Sequence, residues 1–243
     1  MTDRAWRLVP FLKASGHEQM AIDRWFLGQH CREDAPPMLR FYTWSPVAIS
    51  LGYHQQDYPD YWQRLIWQDH PIEIVRRPTG GRAVLHQGEL TYAIVTSGIM
   101  GNRIQAYQHI CQFLIKGWHH LGIDLNYGQK DRIYHHQPNC FASSTAADLV
   151  DVMGHKIIGS AQLYQGKAIL QHGSIRLCPD AKFFHRVFNE VIPPSFPYQK
   201  LNRIPQIITE LTKAAKQCFQ TDFFDQPLSC SEKELIGKLL PKI

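Results

Sequence analysis

The chain has 243 residues, 44% of them apolar and 19% charged, which suits a core-forming domain and excludes a disordered chain. A formal net charge of +5, with Lys and Arg scattered, predicts attraction to an acidic partner and no nucleic-acid stripe. No stretch approaches membrane-spanning length, "MTDRAWRLVPFLKASG" lacks the apolar segment of a signal peptide, and six Cys (31, 111, 140, 178, 218, 230) form no C-x-x-C, so a soluble protein of the reducing cytoplasm is expected.

In chain order, "SGHEQMAIDRWFLGQHC" sets Glu18 three residues after Ser15, a capping-box spacing that predicts a helix ended by "DAPPM". "LRFYTWS" and "PVAISLGY" are β-rich runs split at Ser45-Pro46. "DYWQRLIWQDH" is predicted as a short helix, and "IEIVRR" as a strand that delivers Arg76 and Arg77 to its end. Pro78-Thr79-Gly80-Gly81 is turn chemistry, followed by the strands "RAVLH" and "ELTYAIVT". Ile104, Tyr107, Ile110, Cys111, Leu114, Trp118 and Leu121 recur at helical spacing and predict an amphipathic helix.

A loop is expected from Asn126 to Pro138, then the strands "ADLVDVM", "KIIGSAQLYQ" and "AILQHGSIRL", with hairpin-like turns at Gly154-His155 and Gly166-Lys167. Helices near "IPQIITELTKAAKQCF" and "SEKELIGKLL" close the chain. Short turns between strands predict an α+β fold with largely antiparallel or mixed β-sheets packed with helices. Residues 1–243 read as a single domain with a short helical C-terminal tail from about residue 181.

Three segments stand out for chemistry. In "RRPTGGRAVLH", a Gly-Gly turn lets backbone N–H groups approach a ligand, and the flanking arginines offer donors to a carboxylate or phosphate. The plainer reading of that segment alone is a hairpin with solvated arginines. Cys111 and Cys218 sit on apolar helix faces and read as buried small hydrophobes, whereas Cys140 in "NCFASS" follows a His-rich loop and suits a nucleophile activated by a nearby cation. In "GHKIIGSAQLYQGKAILQHGSI", Lys156 opens a strand, Gly159-Ser160-Ala161 puts small residues in mid-strand, and Gln162 with Gln171-His172-Gly173-Ser174 adds polar groups, which together suggest a ligand-facing surface. No H-x-x-x-H spacing supports a metal, and neither a phosphate loop nor a G-x-S-x-G elbow is present, so no metal or cofactor is expected.

Taken together, "RRPTGGRAVLHQGELTYAIV", the Lys156 segment and "FYTWSPVAISLGYHQ" resemble the lipoate–biotin ligase and octanoyltransferase superfamily, over about residues 5 to 180. The resemblance implies that fold, with Lys156 in the place of the superfamily's invariant lysine. "CF" ahead of Lys156 resembles the Cys-dependent octanoyltransferase branch, which implies that Cys140 carries the acyl group. Arg82 and Gln87 stand where ATP-dependent lipoate ligases usually show Gly and often Asp, and the biotin ligase Gly-Arg-Gly-Arg-x-Gly-Arg segment is absent.

The reaction implied by the resemblance is transfer of octanoyl from acyl carrier protein, through Cys140, to a lysine of a lipoyl domain. Cys140 and Lys156 would be catalytic, and Arg77, Gly80, Gly81, His86, Gly159, Ser160, Ala161, His172 and Gly173 would bind substrate. Arg77 and Gly81 are the favoured contacts on the turn, and His86 and His172 serve as proton acceptors or pocket walls. An ATP-dependent lipoate ligase, an amidotransferase between lipoyl proteins and a non-catalytic acyl- or lipoyl-domain-binding module are the alternatives.

Overall fold

In the computed structural model, which describes residues 5–128, 148–192 and 204–241, the strands buried along nearly their whole length occupy the middle of the main sheet. β1 (Trp6–Ala14), α1 (Gly16–Cys31) and β2 (Met38–Trp44) open the chain, and the crossover through α1 makes β1 and β2 parallel. β3 (Ala48–Leu51), a 3-10 turn (Asp60–Arg64), β4 (Ile66–Trp67), β5 (His70–Pro71), β6 (Glu73–Arg76), β7 (Val84–His86) and β8 (Glu89–Ser97) come next. Then come α2 (Arg103–His120), β9 (Asn126–Tyr127), β10 (Leu149–Val150), β11 (Lys156–Gln165) and β12 (Ala168–Arg176). α3 (Ala181–Phe188), α4 (Ile204–Phe219), β13 (Phe223–Asp225) and α5 (Cys230–Gly237) complete the order.

Eight strands form one mixed sheet in the order β13-β1-β2-β8-β12-β11-β10-β9, and β6-β3-β7 form a second, smaller sheet. The period of two sorts side chains to the faces of the main sheet. Leu39, Phe41, Tyr92 and Ile94 pack with α2 and α4, while Met38, Tyr42, Trp44, Ala93 and Val95 pack with α1. A third apolar cluster joins the small sheet to α3 through Ile49, Leu51, Trp62, Phe183 and Val187. The fold is α+β with mixed sheets, as expected. Among the described residues the parallel pairs are β1–β2, β1–β13 and β3–β6.

The local differences from the sequence reading have physical causes. "DYWQRLIWQDH" forms only the 3-10 turn at its start. The Trp62 indole donates to Val187 O, and Gln68 and Asp69, both at positive φ, turn the rest into the β4–β5 hairpin. β1 was not anticipated because Pro10 lies inside it; the pairing with β2 shifts register between Val9 and Leu12, which accommodates the missing N–H. α3 was not anticipated either, although Asp180 caps it and accepts from Phe183 N. The "ADLVDVM" strand shortens to Leu149–Val150 because Asp151 Oδ1 accepts from Met153 N and His155 N and turns the chain there. Among the described residues, no helix is long and apolar enough to cross a membrane.

Candidate active site

The turn between β6 and β7 meets β11 and β12 around a cavity of about 320 Å³. Lys156, Arg77, Gly80, Gly81, His86, Gly159, Ser160, Ala161, His172 and Gly173 all line it, with Met20, Tyr42, Trp44, Ser50, Thr91 and Asp148 among the others. Cys140 lies outside the described residues.

Lys156 is buried at the start of β11, and its Nζ stands 3.0 Å from Asp148 Oδ1. Gly159 makes room for it: a Cβ there would come within 2.9 Å of Lys156 Cε and 3.3 Å of Nζ. On β12, a Cβ at Gly173 would meet the Tyr92 ring at 2.6 Å and Gly159 O at 2.8 Å. The small residues read from sequence therefore sit where two strands and a lysine crowd together.

Arg77 is buried and spends its five N–H donors on the protein. Nε and Nη2 donate to Gly80 O at 3.2 and 2.8 Å, Nη2 also to Arg82 O at 2.7 Å, and Nη1 to Ser50 O and Oγ at 2.8 and 3.2 Å. Its guanidinium thus shapes the Gly-Gly turn from beneath. Gly81, at φ +97°, adopts a conformation that favours glycine. Behind that turn Gly52 is equally constrained, because a Cβ there would overlap Gly81 O.

His86 stacks on Trp44 with ring centroids 3.8 Å apart. Ser50 Oγ accepts from Arg77 and stands 2.8 Å from His86 Nε2. His86 Nδ1 lies 3.5 Å from Glu89 Oε1. Burial disfavours the charged ring and holds the His86 pKa below its ordinary value, although Glu89 opposes the shift. Glu89 accepts from the hydroxyls of Thr91 and Ser174, and Trp44 Nε1 donates to Thr91 Oγ1.

On the other side, His172 Nδ1 faces Asp23 Oδ2 at 2.7 Å, and Nε2 faces Thr79 Oγ1 at 2.6 Å. Asp23 Oδ1 accepts from Arg40 Nε and Nη2 at 2.9 and 2.7 Å, and Tyr42 OH donates to Oδ2 at 3.2 Å. Burial pushes the Asp23 carboxyl up, but Arg40 and His172 together hold it below its ordinary value. Under the other sheet face, Gln162 donates to Gln171, Gln171 to Tyr92 OH, and Tyr92 pairs with Ser160 Oγ at 2.8 Å. Cys111 abuts this network, and burial pushes its thiol up to about 12. It is a buried thiol, as its place on α2 suggested.

Asp23, Glu89, Asp148 and Thr79 were not singled out from sequence. Asp23 did leave a signal. With Gln19 it occupies the same helical stripe as Met20, Phe26 and Leu27, and a carboxylate on an apolar stripe needs a buried partner. Arg40, inside the apolar run of β2, is that partner.

Residues 15–231 match the family described as Lipoyl protein ligase A/B catalytic domain. The chain belongs to that family. Similar members of this family include the octanoyltransferase LipM of Carboxydothermus hydrogenoformans, 35% identical over 97% of this chain and 94% of that protein. The octanoyltransferase LipM of Bacillus subtilis is 31% identical over 97% and 93%. The solved bi-partite lipoate protein ligase of Thermoplasma acidophilum superposes with a TM-score of 0.72, at 20% identity over 97% of this chain and 91% of that one. The last likeness is one of fold.

Proposed function

We infer that this protein is an octanoyltransferase of protein lipoylation, taking octanoyl from an acyl donor and passing it to a lysine of a lipoyl domain. Relatives that carry the octanoyltransferase name match along nearly the whole chain. The observation that carries the mechanism is Lys156, an amine buried in the cavity wall and held by Asp148 at 3.0 Å, with Gly159 leaving it space.

In this reading the donor is octanoyl-acyl carrier protein, whose acidic surface suits the net charge of +5. The Cys140 thiolate attacks the thioester carbonyl. The tetrahedral intermediate collapses, the carrier thiolate leaves and takes up a proton, and an octanoyl-Cys thioester remains. The lysine amine of the lipoyl domain then attacks that carbonyl, loses a proton and forms the amide, and Cys140 is regenerated. Lys156 as an ammonium lowers the thiol pKa or stabilises the oxyanion, a contribution of about 3–4 kcal/mol where one such donor is removed from an acyl-transfer site. Ser160, Ala161, Gly173, His86 and the Gly80–Gly81 turn wall the acyl chain. A thioester is already activated, so no nucleotide enters.

The test is intact-mass measurement after mixing the protein with octanoyl carrier protein without ATP or magnesium. One octanoyl group is expected on the wild type and none on Cys140→Ala. A lipoyl domain added next should take the group up. Modification of the lipoyl domain by free octanoate or lipoate with ATP, and none from the carrier thioester, would replace this reading with an adenylating ligase. An octanoyl lipoyl protein serving as donor where the carrier does not would make the enzyme an amidotransferase.

A further inference from the structure

Three side chains from three separate segments form a line of hydrogen bonds that ends at the cavity wall. Asp23 lies on α1, His172 on β12 and Thr79 in the turn after β6. The carboxylate at 2.7 Å takes a hydrogen bond from His172 Nδ1, and Nε2 pairs with the Thr79 hydroxyl at 2.6 Å. Both ring nitrogens are therefore engaged inside the protein. His172 lines the cavity, yet neither nitrogen is spare for a substrate.

The turn it reaches is held by polar ties at both ends. Arg77 grips Gly80 O and Arg82 O from one side, and Thr79 is tied to His172 on the other. The turn backbone also lies against Gly52, where a Cβ would overlap Gly81 O, and Tyr53 N donates to Thr79 O at 2.8 Å. The side-chain ties from Arg77 and His172 add to these backbone contacts in setting the glycine-rich wall of the cavity. Asp23 is itself anchored by Arg40 and Tyr42, so the line ends in a fixed point of the α1 core.

Resting on the octanoyltransferase reading above, we propose that Asp23, His172 and Thr79 are positioning residues for acyl transfer, tying the Gly80–Gly81 turn to β12 and α1 so that its backbone walls the acyl group in the reacting geometry. Thr79 is the place to break the tie with least disturbance. Valine keeps the shape without the hydroxyl, and serine keeps the hydroxyl. The rate of octanoylation of the protein at saturating octanoyl carrier protein should fall about tenfold in Thr79→Val, the scale of one lost hydrogen bond, and recover in Thr79→Ser. Thr79→Val should keep a wild-type melting temperature to within a few degrees.

His172→Phe keeps a ring in the wall without either nitrogen and should show a similar loss. The double variant should be no slower than the slower single one, because both remove the same tie. Wild-type octanoylation by Thr79→Val, or a double variant whose losses multiply, would overturn the proposal. Should His172→Phe fail to fold, the Thr79 pair decides alone. A wild-type protein that takes no octanoyl from the carrier would overturn the octanoyltransferase reading itself, a result distinct from a Thr79→Val that matches an active wild type.

Discussion

Gly159 and Lys156 stand three residues apart on the same strand, and the end of the lysine fills the space a Cβ would need. Gly159→Ala should therefore push the ammonium away from its seat beside Asp148. A misplacement of about 1 Å in a reacting group costs on the order of 100-fold, so octanoylation should slow by about that much. The crowded atoms are the far end of a flexible side chain, so the melting temperature should change little. An unchanged octanoylation rate would show that Lys156 need not sit where it does. His86 makes a second case. Its pKa is held down by burial, so below about pH 6.5 the unfolded chain takes up a proton that the folded ring refuses. The stability owed to the neutral ring is whole above that pH and declines as the pH falls from there to the folded pKa. Denaturant midpoints at about pH 7 and about pH 5.5 should differ less in His86→Gln than in the wild type. Equal differences would remove His86 from the pH response.

Among the elements, α1 brings Met20 and Asp23 to the site, and its start is shared between two capping groups. Ser15 Oγ accepts from Glu18 N at 3.2 Å, while Glu73 of β6 accepts from Gly16 N at 2.6 Å. Each of Ser15→Ala and Glu73→Ala should cost about 1 kcal/mol in a denaturant titration. Because both act on one helix end, the double variant should depart from the sum of the singles. Strict additivity would mean that the two caps act apart. The Ser15 spacing was legible in the sequence because capping is local chemistry, but the Glu73 bond joins residues 57 positions apart and was not. The same division runs through the site. Gly81, Gly159 and Gly173 announced close approach through their own composition, whereas Asp23 with His172 required knowing that α1 lies against β12. β1 was hidden by Pro10, a local breaker that a register shift absorbs.

Across the whole molecule, β8 and β12 form the longest antiparallel ladder, and the site grows from the sheet at their edge with β11 and from the β6–β7 turn. The C-terminal residues, read from sequence as a helical tail, also supply β13, which pairs in parallel with β1 and extends the main sheet. Arg7 on β1 donates to Gln226 O and Pro227 O and binds both carboxylate oxygens of Glu232 in α5. The Arg7–Glu232 contact spans 225 positions. A chain is made from its N-terminus, so on the ribosome β1 waits with one edge open until Phe223–Asp225 has been made. A message that stops just short of Phe223 yields a chain whose first strand never gains its outer neighbour, and that bare edge is where such truncated chains should adhere to one another.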